Sequence, residues 1–195
     1  MRIGPSYDCT KAQSPVQKFI CSDAELSRRQ LETMQPYYVL RDLVGKEGKE
    51  ALHYEAVDFW NQTAYDCKID DAGNLPEDQT TLKSCLISAY KDQGEAWRQK
   101  LQGAGLEEAS RPIEEHVALQ AKLQTLGYLP ATARIDGVYG PATRKAIAAW
   151  QIASQLPVTG LLGTSDATVL SRSQLTAEAR TTLPVSDNRE LSRQP

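Results

Sequence analysis

Four cysteines, two histidines and a few acidic pairs are the side chains of this 195-residue chain best suited to nucleophilic, metal-binding or acid–base chemistry. Cys9, Cys21, Cys67 and Cys85 lie 12, 46 and 18 residues apart. A zinc site normally sets two thiolates on one ion through a short Cys-x2–4-Cys element. The spacing contains none, so no metal is expected. An even number of cysteines confined to one polar half reads instead as two disulfides. Three connectivities are open, and sequential pairing, Cys9 with Cys21 and Cys67 with Cys85, closes the two shortest loops and is the expected one.

His53 and His116 stand in different halves, and neither belongs to a His-Glu-x-x-His pattern. The acidic pairs Glu47/Glu50, Asp70/Asp71, Glu107/Glu108 and Glu114/Glu115 could supply the two carboxylates of a glycosidase. Such runs usually coat solvated helix faces, and nothing in the pattern sets one in an apolar cleft that would raise a pKa. No catalytic site and no cofactor are therefore expected.

The chain carries 22 Lys and Arg against 25 Asp and Glu, a net charge of −3, which offers no global attraction to nucleic acid. The deficit belongs to residues 1–111, with 14 basic and 18 acidic side chains, while residues 112–170 balance at four of each. No run approaches the ~20 apolar residues that a membrane-spanning helix needs. Disulfides persist outside the reducing cytosol, which implies the periplasm or secretion. No apolar core follows Met1-Arg2-Ile3-Gly4, so a targeting segment is expected to have been removed ahead of Pro5.

The elements that must position these residues read as helices. Ser14-Pro15 suits a helix start. A longer helix is predicted over 23–43, kinked near Pro36 and ended by Gly45-Lys46-Glu47-Gly48. Leu52, Ala56, Phe59, Trp60 and Ala64 give one aromatic face over 49–68, and Leu82, Leu86, Ala89, Tyr90 and Trp97 another from Thr80. The bridge 67–85 would staple the end of the first to the start of the second. Gly103, Gly105 and Ser110-Arg111-Pro112 mark a boundary. Beyond it come helices from Ile113 to Leu126 closed by Gly127, from Pro141 through Trp150, and from Ser165 to Arg172, then a polar tail over 173–195. The expected fold is all-α, with a disulfide-stapled bundle over 6–105 and a three-helix unit over 112–172 that folds alone.

Leu119-Gln120-Ala121-Lys122-Leu123 through Gly127-Tyr128-Leu129, Ile135-Asp136-Gly137-Val138-Tyr139-Gly140-Pro141-Ala142-Thr143-Arg144, Trp150-Gln151 and Leu156-Pro157-Val158-Thr159-Gly160 form an ordered set. It resembles the three-helix peptidoglycan-binding domain appended to many bacterial cell-wall hydrolases. Residues 131–134 are extra length, and Trp150 stands where phenylalanine is common in that family. The resemblance implies a shallow ligand groove near the Asp136-Gly137 turn and the helix ends, matched by Tyr128, Asp136, Gly137, Tyr139 and Arg144. Read from the residues alone, Asp136, Gly137 and Gly140 are turn-keeping residues. Tyr128 and Tyr139 could equally be packed aromatics, and Arg144 is expected to face solvent or pair with Asp136. Gly127, Gly140 and Trp150 are structural.

Ser6-Tyr7-Asp8-Cys9-Thr10-Lys11-Ala12, Val16, Lys18, Ile20-Cys21, Leu26, Leu31 and Tyr38, followed by Trp60, Cys67, Cys85-Leu86 and Tyr90, resemble the LprI-like family of small secreted domains, named for a mycobacterial lipoprotein described as a lysozyme inhibitor. The Arg upstream of the third cysteine and the Gln-Arg before the tryptophan, present in many members, are absent. The combined expectation is a non-catalytic extracytoplasmic protein that binds peptidoglycan through its C-terminal unit and presents an N-terminal interaction surface. The alternative is an inhibitor of lysozyme or of an endogenous cell-wall hydrolase.

Overall fold

Three of the first four helices start on a side chain that satisfies otherwise unpaired backbone N–H groups, and the remaining one, which begins after Gly45, has no such cap. In the computed structural model, which describes residues 3–174, α1 (Pro15–Ser22) opens with a capping box: Ser14 Oγ accepts from the Gln17 backbone, and the Gln17 amide accepts in return from the Ser14 N–H. Asp23 caps α2 (Ala24–Leu43) and Asp78 caps α4 (Gln79–Arg98), each through two backbone N–H groups. The helix α2 runs as one element through Pro36. It is buried along most of its length because α1, α3 (Lys46–Asp66), α4 and α5 (Gly103–Ala109) all pack against it.

The expected stop at residues 45–48 proves shorter. Only Val44 and Gly45 separate α2 from α3, and Gly48 lies inside α3. A Cβ at Gly48 would sit 2.7 Å from the Val44 Cβ, so its missing side chain is what lets the chain reverse so tightly. The segment expected as a boundary holds α5, which lies between the two halves of the chain.

Cys9–Cys21 ties a single 3-10 turn to α1, and Cys67–Cys85 ties the end of α3 to α4. Val16, Ile20, Leu26, Leu82, Leu86 and Tyr90 fill the core between them. A second cluster, around the fully buried Trp97, joins Tyr37, Val39, Leu40 and Leu52. Helices α6 (Ile113–Thr125), α7 (Pro141–Ala153) and α8 (Thr164–Arg172) close on a third core of Leu119, Leu123, Tyr139, Ile147, Trp150, Leu162 and Leu170. Trp150 is 1% exposed at its centre. Gly127, at φ +83°, ends α6 with its N–H donating to Gln124 O.

The cores are not separate. Leu161, from the loop before α8, packs in the cluster around Trp97, and the Gln35 amide of α2 donates to Gly137 O at 3.2 Å. Among the described residues there is no strand, and no helix is long and apolar enough to cross a membrane. Of the polar tail, residues 175–195 lie outside the described residues.

Candidate functional site

Two buried glutamines build the loops of the C-terminal unit. Gln120, on α6, accepts with one Oε1 from both the Asp136 and Gly137 N–H groups, at 3.0 and 2.9 Å. Its Nε2 donates to Val138 O and Thr143 Oγ1. Gln151, on α7, repeats the device: Oε1 accepts from the Thr159 and Gly160 N–H groups, and Nε2 donates to Thr159 Oγ1, Leu161 O and Asp166. Both side chains are at most 2% exposed, and both turns end on a glycine at positive φ, +81° at Gly137 and +71° at Gly160. Buried amides fully paired in this way fix a loop more tightly than apolar contact alone. Their structural role is not legible in either residue alone, although Leu119-Gln120 and Trp150-Gln151 share one signal, a large core residue followed by Gln ahead of an x-Gly turn.

The turn over 136–138 is further closed by Asp136 Oδ1, which accepts from the Val138 N–H at 3.0 Å. At Gly137 an added Cβ would press on Val117 and Ile113 at 3.3–3.4 Å in a conformation side chains rarely adopt. The half-buried Asp136 carboxylate lies 3.7 Å from Arg134, which also reaches Asp8 of the N-terminal half at 3.5 Å. Together with Ile135, Val117, Tyr7 and Cys9 they line a cleft of about 750 Å³ between the halves. Tyr128 is half-buried against the third core, away from that cleft. Tyr139 is 1% exposed, and its hydroxyl donates to His116 O.

Arg144 overturns the expectation that it faces solvent or pairs with Asp136. Its guanidinium is buried against Glu108 of α5, with Nη1–Oε2 at 2.9 Å and Nη2–Oε1 at 2.7 Å, and it pairs through Nε with Asp42 of α2. It also donates to Gly160 O and stands over the Tyr139 ring. Glu108, itself 1% exposed, accepts a further 2.6 Å bond from the Leu162 N–H. Burial opposes the charge on Arg144, but Glu108 and Asp42 outweigh it and raise the pKa. The sequence hid this because Glu107 and Glu108 look like a solvated pair. On α5 the first stays exposed and accepts from the Thr164 N–H, while the second turns inward.

His116 completes the buried group. Its Nε2–H donates to Glu108 O at 2.9 Å, and Nδ1 has no hydrogen-bond partner among the described residues. Burial, helped by the positive charges of Arg111 and Arg144, lowers its pKa from 6.5 to about 3, so the ring is neutral. Neither histidine lies in the cleft, and among the described residues no group of three or more His, Cys, Asp or Glu could hold a metal ion. The arrangement is a fixed turn beside a cleft, with Asp136 and Arg134 on its lining.

Two consequences can be measured. Replacing Arg144 by Ala strands a buried carboxylate, so urea unfolding should show a loss of about 3–5 kcal/mol, and Arg144→Ala/Glu108→Ala should lose less than the sum of the two single changes. In the second, the unfolded chain takes up a proton on His116 below pH 6.5 that the folded chain refuses. Stability is thus fully present above that pH and falls as pH drops towards 3, by up to about 1.4 kcal/mol per pH unit. His116→Gln should flatten this slope between about pH 6.5 and pH 5, above the range where depressed carboxylates begin to titrate.

Residues 114–169 match the family model described as "Putative peptidoglycan binding domain". No curated protein and no solved structure gives a significant match to the chain. From α6 to α8, with both glutamine-held turns inside the match, the chain carries a non-catalytic peptidoglycan-binding module.

Proposed function

We propose that the protein is a non-catalytic extracytoplasmic protein that attaches to peptidoglycan through its C-terminal module and presents the N-terminal disulfide-bonded bundle as an interaction surface. The observation that carries this reading is the family match over residues 114–169, whose loops are held by Gln120 and Gln151. Two disulfides in the N-terminal half favour an oxidising compartment, the periplasm or the exterior. The ligand lies along the cleft beside the Asp136-Gly137 turn, where Asp136 and Arg134 offer an acceptor and donors for amides, hydroxyls and carboxylates of the glycan and its peptide stems. Tyr139 and Arg144 serve from beneath, by fixing the turn and the loop before α8. Tyr128 offers a separate, half-exposed aromatic edge.

A second reading draws on Tyr54, Val57 and Tyr65, which stand exposed on α3 at 60%, 39% and 73%. Together with the resemblance of this half to LprI-like domains, this apolar stripe suits contact with a protein, which would make the N-terminal half an inhibitor of lysozyme or of an endogenous wall hydrolase.

Incubation with purified sacculi tests both. The full chain should co-sediment with them and leave their turbidity unchanged at mildly acid to neutral pH, and Asp136→Ala should reduce retention without moving Tm by more than a few degrees. Failure to co-sediment, or a fall in turbidity, contradicts the main reading. Near-stoichiometric inhibition of lysozyme on a soluble oligosaccharide in large excess would establish the second.

A further inference from the structure

The N-terminal half contains a second concavity, of about 780 Å³, that wall attachment through the module leaves unused. Its volume falls within the roughly 300–1,000 Å³ typical of ligand pockets. One wall is α3, where Trp60, Asn61, Ala64 and Tyr65 present two adjacent ridges. Tyr7, Tyr90 and the turn Asp70-Asp71-Ala72-Gly73 also line it.

The walls are held in place before any ligand arrives. Cys67–Cys85 locks the end of α3 to α4, and the Val16 N–H donates to Gly73 O, stitching that turn to α1. Asp70 spends its carboxylate on the turn itself, accepting from the Ala72 and Asn74 N–H groups and the Asn74 amide.

What remains uncommitted is informative. Tyr90 is only 5% exposed, yet its hydroxyl has no hydrogen-bond partner among the described residues. The Asn61 amide and the Asp71 carboxylate, both exposed, likewise make no hydrogen bond or ion pair among the described residues. A phenol, an amide and a carboxylate around aromatic rings suit a ligand with apolar C–H faces and a fringe of hydroxyls and amides. The lining contains no Lys or Arg and carries two aspartates, and the Lys68 ammonium beside it stands over the Tyr65 ring at 5.2 Å from its centroid, so the charge at the cleft does not favour an anionic ligand.

We propose that this cleft binds a short neutral or amino-sugar oligosaccharide, with Trp60 and Tyr65 as the platform for the sugar faces and Asn61, Asp71 and Tyr90 as the polar contacts. The site is independent of the module. On a glycan polymer it would add a second point of attachment and raise avidity through effective concentration.

Tryptophan fluorescence of the full chain reads the site directly, because Trp97 and Trp150 are fully buried and Trp60 is half-buried on the cleft. Titration with the N-acetylglucosamine trimer, and separately with a glucosamine trimer, should give a saturable change with at least one of them. Asn61→Ala and Tyr65→Ala, both at exposed positions, should each weaken binding by about 3–10-fold with unchanged Tm. Asp136→Ala, in the other cleft, should leave it intact. The proposal is overturned if neither sugar saturates the signal in the low-millimolar range, if the two α3 variants bind as the parent does, if Asp136→Ala alone abolishes binding, or if only a lysine-rich peptide binds.

Discussion

A buried guanidinium has to be neutralised where it stands, and in this protein the group that neutralises it comes from outside the module it serves. Arg144 belongs to α7, Glu108 to α5 and Asp42 to α2. Glu108 also accepts from the Leu162 N–H, and Arg144 donates to Gly160 O. One ion pair thus fixes the loop before α8, the packing of α5 and the approach of the N-terminal half. Desolvation makes such a pair no great source of net stability, but it makes the loss of either partner expensive. The pair therefore specifies how the pieces meet.

The two turns depend on that frame in different ways. The Thr159-Gly160 turn is held from one side by Gln151 and from the other by Arg144. The Asp136-Gly137 turn is held by Gln120 and covered by Gln35 of α2, so a surface expected to be open to ligand is in part a docking surface for the other half. The cleft that remains is lined from both halves. The Asp136-Gly137 turn and the N-terminal bundle are in this way physically adjacent.

Much of this could be read in the residues. Helical spacing of Leu119, Leu123, Ile147 and Trp150 located a core, and Gly127 and Asp136-Gly137 located the bends, because periodicity and positive φ are local properties. The even cysteine count pointed to the pairs Cys9–Cys21 and Cys67–Cys85 that the structure shows. What local reading could not supply was the inward turn of Glu108. Adjacent residues on a helix point roughly 100° apart, so Glu107 and Glu108 look alike in sequence and differ wholly in environment. The same holds for Arg144, whose partners lie 36 residues away on α5 and farther still on α2. Gly48 departs from expectation for a related reason: it allows close approach to Val44 within α3, whereas glycine pairs usually signal a stop.

Because Glu108 is bonded to Arg144 and Leu162, the folding unit of the module is expected to begin at α5, before the matched segment. Thermal melts of residues 103–172 and 112–172 by circular dichroism test this most directly. The longer fragment should melt in a cooperative transition and the shorter, which leaves Arg144 buried without Glu108, in a markedly lower or broadened one. Superimposable melts for the two fragments would contradict it.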